Sequence, residues 1–300
     1  MGGVPELFME LPVADRLGEC ITWDDRTGCF IWTDIPARRL HRYCLETNEL
    51  HTIPLAARLC SFALSLDPRF LFSAFESEIG WLEIATGRFW KVTSVALPRA
   101  MRLNDGRAGP DGSFWVGSMV GTAADAGGTG AGILYKVNPQ GELLPLMHGF
   151  SISNGLAWSP DGQTLYHSDS RQSRITAYQF DPEFGVIGPV VATSSVEEGE
   201  PDGAAVDASG RYLSALWGQG TVAAFRADLS LEGFMDVPAR QPTCIAFGGV
   251  GFDLLAVTTA REGLSDDALA QDPKAGSLFI YRVPFTGAPQ FRFAGTPPCP

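Results

Sequence analysis

At equivalent positions of a repeated unit, three oxygen-bearing side chains are each followed by a glycine: Asp105-Gly106, Asn154-Gly155 and Asp202-Gly203. Because glycine has no Cβ, a ligand could approach the backbone closely at each place. Carboxylate and amide oxygens are hard donors of the kind that bind Ca²⁺, Mg²⁺ or Mn²⁺. One such pair alone is usually part of an ordinary loop. Three pairs at equivalent positions of a repeat instead predict a divalent-cation site.

The repeat that carries these pairs consists of a strand, a tight turn and a second strand. Its clearest copy has the turn Ser159-Pro160-Asp161-Gly162 between the short apolar segments 156–158 and 164–166. Proline presets φ, aspartate bonds its own backbone and glycine accepts positive φ, which together favour a β-turn. The unit recurs six times at a spacing of roughly 40–50 residues, which is typical of four-stranded propeller blades. The best helical candidate, residues 266–271, is only one or two turns long.

These repeats predict an all-β, six-bladed β-propeller formed by a single domain of residues 1–300. Residues 7–11 and 291–293 are additional strands near the two ends, and we expect them to share one blade and close the ring. The residues just before the innermost strand of each unit should face the mouth of the central channel, and in every unit they are polar. They are Glu19, Ser61, the run from Arg102 to Gly106, Asn154, Asp202 and Thr243.

The composition argues against several classes of partner. A formal net charge of −12 and a pI near 4.7 disfavour binding to nucleic acid or to an anionic membrane surface. No apolar run approaches the ~20 residues that span a bilayer. The first residues lack the features of a secretory signal, so we expect a cytoplasmic protein. The six cysteines have no regular spacing, and we interpret them as reduced.

The four histidines do not suggest a catalytic or zinc site. His167 lies in a second strand beside Tyr166, and we interpret it as a hydrogen-bonded core residue. We expect His41, His51 and His148 at the surface or in turns. No cluster of cysteine and histidine predicts a structural zinc ion.

Four motifs resemble those of the SMP-30/gluconolactonase (regucalcin-like) family, in order and at propeller spacing. The motifs are Leu17-Gly18-Glu19 with Trp23, Arg102-Leu103-Asn104-Asp105-Gly106 with residues 114–119, Ser153-Asn154-Gly155-Leu156, and Pro201-Asp202-Gly203. Residues 258–265 also resemble the bacterial sugar-lactonase branch. The resemblance covers essentially the whole chain and implies a six-bladed propeller that hydrolyses aldonolactones with one divalent metal ion.

The resemblance also implies roles for individual residues. Glu19, Asn154 and Asp202 would hold the metal, and Asp202 would also act as the general base. Arg102 and Asn104 would bind hydroxyl groups of a pentono- or hexonolactone such as xylono-, arabinono- or gluconolactone. The ion would be calcium, manganese, magnesium, zinc or iron(II).

Two departures from the family pattern are visible. Cys20 and Ile21 stand where the family usually has Gly-Pro, so we expect the first innermost strand to be placed differently. Val120, Gly121 and Thr122 occupy the region in which animal members carry a glutamate. We therefore expect that part of the substrate pocket to be remodelled.

Two alternative functions remain open. The first is a metal-dependent esterase or organophosphate hydrolase on the same propeller, and the second is a non-catalytic, calcium-binding propeller. Arg102 and Asn104 favour a small polyol over an aryl ester, and the complete set of predicted ligands favours catalysis. We expect a monomer or a weak homo-oligomer.

Overall fold

A computed structural model describes residues 4–121 and 130–298 of the chain. These ranges contain 24 β-strands, the short helix α1 (Asp266–Gln271) and a 3₁₀ turn over Ser170–Gln172. None of the helices found there has the length and apolar character that crossing a membrane requires. The strands form six antiparallel sheets of four strands each, which confirms the predicted all-β, six-bladed propeller.

The chain begins with β1 (Glu6–Leu11), which belongs to the last blade, and then forms three blades in order. Blade one contains β2 (Gly18–Asp24), β3 (Cys29–Asp34), β4 (Arg39–Cys44) and β5 (Glu49–Pro54). Blade two contains β6 (Leu59–Leu64), β7 (Phe70–Phe75), β8 (Glu78–Glu83) and β9 (Phe89–Ser94). Blade three contains β10 (Met101–Ala108), β11 (Phe114–Val120), β12 (Gly132–Val137) and β13 (Leu143–Phe150).

The second half of the chain forms the other three blades. Blade four contains β14 (Ser153–Trp158), β15 (Thr164–Asp169), β16 (Arg174–Asp181) and β17 (Val186–Ser195). Blade five contains β18 (Glu200–Val206), β19 (Tyr212–Trp217), β20 (Thr221–Phe225) and β21 (Leu231–Asp236). Blade six contains β22 (Pro242–Gly248), β23 (Leu254–Thr259), β24 (Leu278–Arg282) and β1.

Burial falls from the centre of the propeller to its rim. The central strands β6, β14 and β22 are buried at every residue, whereas the rim strands β5, β13 and β17 have no buried residue. The central strands contact one another in the cyclic order β2, β6, β10, β14, β18, β22 and back to β2. Aromatic rings fill the spaces between blades. Phe72 meets Phe114 edge to face, for example, with ring centroids 5.6 Å apart.

The ring closes through β1, which pairs with β24 at the outer edge of blade six. This confirms the part of the closure prediction that concerns the N-terminal strand. The prediction of a strand over residues 291–293 is wrong, because β1 and β23 already occupy both edges of β24. Phe293 instead forms an isolated bridge to Ser65 and stacks on Phe72. Residues 288–291 line a cavity of about 200 Å³ at the far end of the central strands.

A disulfide between Cys29 and Cys44 corrects the prediction that all cysteines are reduced. The two residues lie directly opposite each other on β3 and β4, with their Cα atoms 4.0 Å apart. Strand register brings them together, and their spacing in the sequence does not reveal that register. The remaining described cysteines, Cys20, Cys60 and Cys244, are free and buried, and Cys299 lies outside the described residues.

The histidines divide between core and surface. His167 is a buried core residue as predicted, with Nε2 2.7 Å from Oγ of Ser153. The prediction for His41 is wrong, because this residue is 3% exposed and its Nε2 lies 3.1 Å from Oδ1 of Asp15. The buried Asp15 carboxylate also accepts a 2.8 Å hydrogen bond from Nε1 of Trp32. His51 and His148 are exposed, as predicted.

Candidate active site

The predicted site residues lie at one irregularity that the six central strands share. In each of these strands a bulge interrupts pairing with the second strand of the blade. A bulge turns side chains out of the regular ladder and is common beside active sites. In four strands the bulge follows or contains a predicted site residue. These residues are Glu19, Asn104, Asn154 and Asp202.

The expectation that Cys20 and Ile21 place the first central strand differently from that of the family stays a prediction. The bulge of β2 falls between Glu19 and Thr22, and that of β14 falls at the equivalent place, between Asn154 and Ala157. Cys20 has a left-handed φ of 53°, and Gly155 in β14 has a similar φ of 62°. Its buried Sγ accepts a hydrogen bond of 3.2 Å from the N–H of Phe62. This contact to blade two accounts for a side chain at a position that otherwise suits glycine.

Asn104 connects the predicted substrate residues to a predicted metal ligand. Its Nδ2 donates to Oδ1 of Asn154 at 2.8 Å and to the carbonyl of Ser153 at 3.1 Å. Its Oδ1 accepts a hydrogen bond of 2.6 Å from Nη1 of Arg102. Arg102, Asn104 and Asn154 therefore form one chain of hydrogen bonds across blades three and four.

Asn154 is also linked to the strand that carries Asp202. Its Nδ2 donates to Oγ of Ser170 at 2.8 Å, and this hydroxyl donates to the carbonyl of Pro201 at 2.7 Å. The side-chain amide of Asn154 is therefore oriented with its oxygen toward Asn104 and its nitrogen toward Ser170. Asn154 and Asp202 are therefore held close together through Ser170 and the backbone of β18.

The glycines that follow the site residues are needed for packing, which corrects the interpretation that they admit a ligand. A Cβ on Gly155 would lie 2.3 Å from Oη of Tyr212 and 2.4 Å from Oγ of Ser168. A Cβ on Gly203 would lie 2.5 Å from Sγ of Cys244. The central strands converge on the axis, so their neighbours fill the space in which a side chain would stand.

Three carboxylates converge at this end of the channel. Burial raises the pKa of Asp202, and the charges of Glu19 and Asp105 raise it further. Burial, followed by the charge of Asp105, raises the pKa of Glu19 to about 8. Each ionised group disfavours ionisation of the others because like charges repel at short range in a poorly solvated site. A cation that lies among them would stabilise the ionised forms.

Carboxylates crowded together in a buried site, as Glu19, Asp105 and Asp202 are, fit a bound cation. Burial raises the pKa of Asp105, and the charge of Arg107 opposes that rise. The charges of Arg102 and Arg107 also lower the pKa of Glu19, but burial and the charge of Asp105 outweigh them. In the parts of the chain that the structure describes, no three His, Cys, Asp or Glu side chains are grouped so that they could hold a metal ion. The donor set that fits is therefore mixed, with the carboxylates of Glu19 and Asp202 and the amide oxygen of Asn154.

Sequence reasoning missed the roles of two charged residues. Oδ2 of Asp105 accepts a hydrogen bond of 2.9 Å from the N–H of Leu156, so it joins β10 to β14. Arg107 lines the channel, and its Nη2 donates to the carbonyl of Ile245 at 3.3 Å. The one available signal for Arg107 was a charged residue between Gly106 and Ala108, near the end of a central strand. Of Val120, Gly121 and Thr122, for which a remodelled substrate pocket is expected, Thr122 lies outside the described residues, and the expectation stays a prediction.

Comparison with known proteins agrees with the fold. Residues 17–261 match the family model described as the SMP-30/Gluconolactonase/LRE-like region. The chain is 35% identical to an L-arabinolactonase of Azospirillum brasilense over 286 residues, which cover 94% of each protein. It is 33% identical to a 6-deoxy-6-sulfogluconolactonase of Pseudomonas putida over 283 residues, 93% of this chain and 95% of the relative. The crystal structure of a calcium-binding protein, regucalcin, from Agrobacterium tumefaciens superimposes with a TM-score of 0.89 and 30% identity over 98% of this chain and 99% of that one.

Proposed function

The chain belongs to the SMP-30/Gluconolactonase/LRE-like family, and we propose that it hydrolyses a sugar aldonolactone to the aldonic acid with the help of one divalent cation. One observation carries the proposal. The hydrogen-bonded chain from Arg102 through Asn104 to Asn154 lies at the channel mouth where Glu19 and Asp202 interact. This arrangement joins groups that suit a polyol to groups that suit a hard cation.

Glu19, Asn154 and Asp202 would hold the cation. When bound, such a cation acts as a Lewis acid that polarises the lactone carbonyl and stabilises the developing oxyanion. Two anionic ligands and one neutral ligand leave coordination positions for substrate and water. Several ions accept this set, so calcium, manganese, magnesium, zinc and iron(II) all remain candidates.

Asp202 is the proposed general base. Its carboxylate would take a proton from the attacking water as the water oxygen bonds to the lactone carbonyl carbon. The same proton can then go to the ring oxygen that leaves as the new hydroxyl group. Burial and the charges of Glu19 and Asp105 raise the pKa of Asp202, which strengthens it as a base. It must nevertheless be ionised to act, which requires positive charge nearby.

Arg102 and Asn104 are the proposed binding residues for the sugar hydroxyls. Arg102 is partly exposed, and Nη1 is the guanidinium nitrogen that donates to Asn104. The guanidinium carries further N–H donors, and its partial exposure places it at the mouth of the channel. Planar donors of this kind orient a polyol by pairs of hydrogen bonds.

The test is a hydrolysis screen over pentono- and hexonolactones, including L-arabinono-, D-xylono- and D-gluconolactone. Each substrate is assayed with metal-depleted protein to which one of the five ions is added. We expect acid release well above the spontaneous rate for at least one lactone with at least one ion. The same assay with Asp202→Asn controls for contaminating hydrolases. Rates equal to the spontaneous rate for every combination would refute the proposal.

The non-catalytic alternative is favoured by one finding, since the regucalcin structure is that of a calcium-binding protein. It predicts saturable calcium binding without turnover of any lactone. The esterase alternative predicts turnover of aryl esters in preference to lactones. The same screen, extended to an aryl acetate and to calcium titration, separates the three functions.

We propose that residues 1–300 form one domain, that the protein is cytoplasmic, and that it is a monomer or a weak homo-oligomer. Nucleic acid and anionic membranes are not expected partners because the chain carries a formal net charge of −12.

A further inference from the structure

Four arginines line one pocket of about 440 Å³ beside the candidate active site: Arg16, Arg58, Arg102 and Arg261. Glu262 is the one acidic residue among the lining residues. The whole chain has 22 lysines and arginines against 34 acidic residues, so its composition does not explain this excess of positive charge. A basic pocket in an acidic protein attracts anions locally. The pocket therefore has the charge of an anion site.

The pocket opens at the same mouth of the channel as the candidate active site. Arg16 lies three residues before Glu19, and Arg58 directly precedes β6. Arg102 is the second residue of β10 and belongs to both sites, since it also donates to Asn104. The starts of three neighbouring central strands thus each bring an arginine to one side of the mouth.

The backbone fixes Arg16 and Arg261 relative to each other. The N–H of Arg261 donates to the carbonyl of Arg16 at 3.1 Å, and an isolated bridge joins Leu17 to Ala260. The N–H of Arg16 donates to Oδ2 of Asp34 at 3.0 Å. The backbones of both arginines are therefore fixed in position relative to β2 and Glu19.

The protein itself compensates these charges only weakly. Within residues 4–121 and 130–298, no carboxylate lies at ion-pair distance from Arg16, Arg102 or Arg261. Arg102 donates to the neutral oxygens of Leu103 and Asn104. Arg58 pairs with Glu76 at 3.2 Å, but both side chains are about half exposed, and such pairs contribute little. Guanidinium groups whose charge is only weakly compensated are suited to bind a carboxylate, sulfonate or phosphate with two hydrogen bonds.

We propose that this arginine pocket binds an anionic substituent of the substrate, located at the end of the sugar chain away from the lactone carbonyl. The proposal rests on the lactonase function proposed above and specifies its substrate class as acidic sugar lactones. The lactone carbonyl would lie toward Asn154 and Asp202, and the carboxylate, sulfonate or phosphate would lie toward Arg16 and Arg261. Only the lactone ester bond is cleaved, and the substituent leaves unchanged as part of the product.

The test compares lactones that differ in the substituent. The probes are D-gluconolactone, its 6-phosphate and D-glucarolactone, in which a carboxylate ends the chain. Each kcat/KM is measured at saturating cation, at low and at high ionic strength. We expect at least about a tenfold preference for one of the anionic lactones at low salt, and a smaller preference at high salt because ions screen exposed charges.

Variants connect the preference to the pocket. Arg16→Gln and Arg261→Gln should each reduce the ratio of anionic to neutral kcat/KM by about threefold, the effect of one lost charge pair at a partly exposed site. The double variant should abolish the preference. Arg226→Gln, in the exposed turn between β20 and β21, is the matched control and should keep the wild-type ratio. Melting temperatures of all variants show whether the fold is intact.

The outcomes distinguish this inference from the function on which it rests. Hydrolysis of neutral lactones without an anionic preference refutes the inference alone. A preference that survives in the folded double variant, or that does not respond to salt, also refutes it. Failure to hydrolyse any of the neutral or anionic lactones refutes the lactonase function and the inference together. If the double variant does not fold, the preference of the wild-type protein for anionic lactones and the salt dependence of that preference still test the inference.

Discussion

Nδ2 of Asn104 donates a hydrogen bond of 2.8 Å to Oδ1 of Asn154, although the two residues are 50 positions apart in the chain. The contact joins the central strands of blades three and four at their bulges. It turns the amide oxygen of Asn154, a proposed metal ligand, toward a neighbour that also contacts Arg102. Asn104, predicted as a substrate-binding residue, therefore also positions a proposed ligand.

The first prediction concerns this positioning. Asn104→Ala should weaken cation binding by about fivefold, because a hydrogen bond that orients a ligand contributes about 1 kcal/mol. It should also raise KM for the lactone through the loss of a polar contact. Calorimetric titration of metal-depleted protein with the cation measures the first effect. Asn138→Ala, in a turn of the same blade, is the control, and equal cation affinity in all three proteins would contradict the positioning role.

The second prediction separates the roles of Asp202 and Asn154. Asp202→Asn keeps an oxygen but removes both the charge and the base, so turnover should fall by about 10²–10⁴-fold and stay low at saturating cation. Asn154→Ala removes one neutral ligand and leaves the base, so excess cation should recover much of its rate. Turnover against cation concentration for both variants is the measurement. Recovery of Asp202→Asn to near wild-type turnover would make Asp202 only a ligand, with Glu19 the next candidate for the base.

The third prediction concerns pH and the metal-depleted protein. Burial and the charge of Asp105 raise the pKa of Glu19 from 4.5 to about 8 in the folded state. Between these values the unfolded chain has released a proton that the folded protein keeps, so the free energy of unfolding should fall as pH rises from about 4.5 to about 8. Above about pH 8, the contribution of Glu19 to the free energy of unfolding should no longer change with pH.

Glu19→Gln provides the control for this pH effect. Glutamine does not titrate, so the free energy of unfolding of the variant should fall less steeply with pH over the same range. Part of the pH dependence should remain, because Asp202 still titrates. A saturating divalent cation should flatten the wild-type curve because it stabilises the ionised carboxylates. Urea unfolding at several pH values measures these slopes. Identical slopes for wild type and Glu19→Gln would show that Glu19 is not the group responsible.

The fourth prediction concerns Gly155, and Gly28 offers a matched control. Both adopt left-handed φ values, 62° and 65°, but a Cβ on Gly28 would meet nothing within 4 Å. Gly28→Ala should therefore cost only the backbone strain of about 1–2 kcal/mol. Gly155→Ala should cost about 1–3 kcal/mol more, since its Cβ would overlap Tyr212 and Ser168. Equal losses in equilibrium unfolding would mean that the packing around Gly155 relaxes freely.

Local chemistry in the sequence determined the strands and most of the turns. The turn Ser159-Pro160-Asp161-Gly162 sets its own conformation, and its recurrence is enough to count the blades. The positions of Glu19, Asn154 and Asp202 were also visible, because each is a polar residue at the start of an apolar repeat. These features depend on neighbours within a few residues, so a single sequence can reveal them.

The tertiary structure alone decided the features that join distant segments. The Asn104–Asn154 hydrogen bond, the Cys29–Cys44 disulfide and the pairing of β1 with β24 all depend on strand register or on ring closure. The need for Gly155 also depends on a neighbour that is 57 residues away, Tyr212. Such contacts form only when blades converge on a common axis, and their partners carry no local signal of one another. For the same reason the arginine pocket, whose four arginines come from separate segments of the chain, is invisible in the order of the residues.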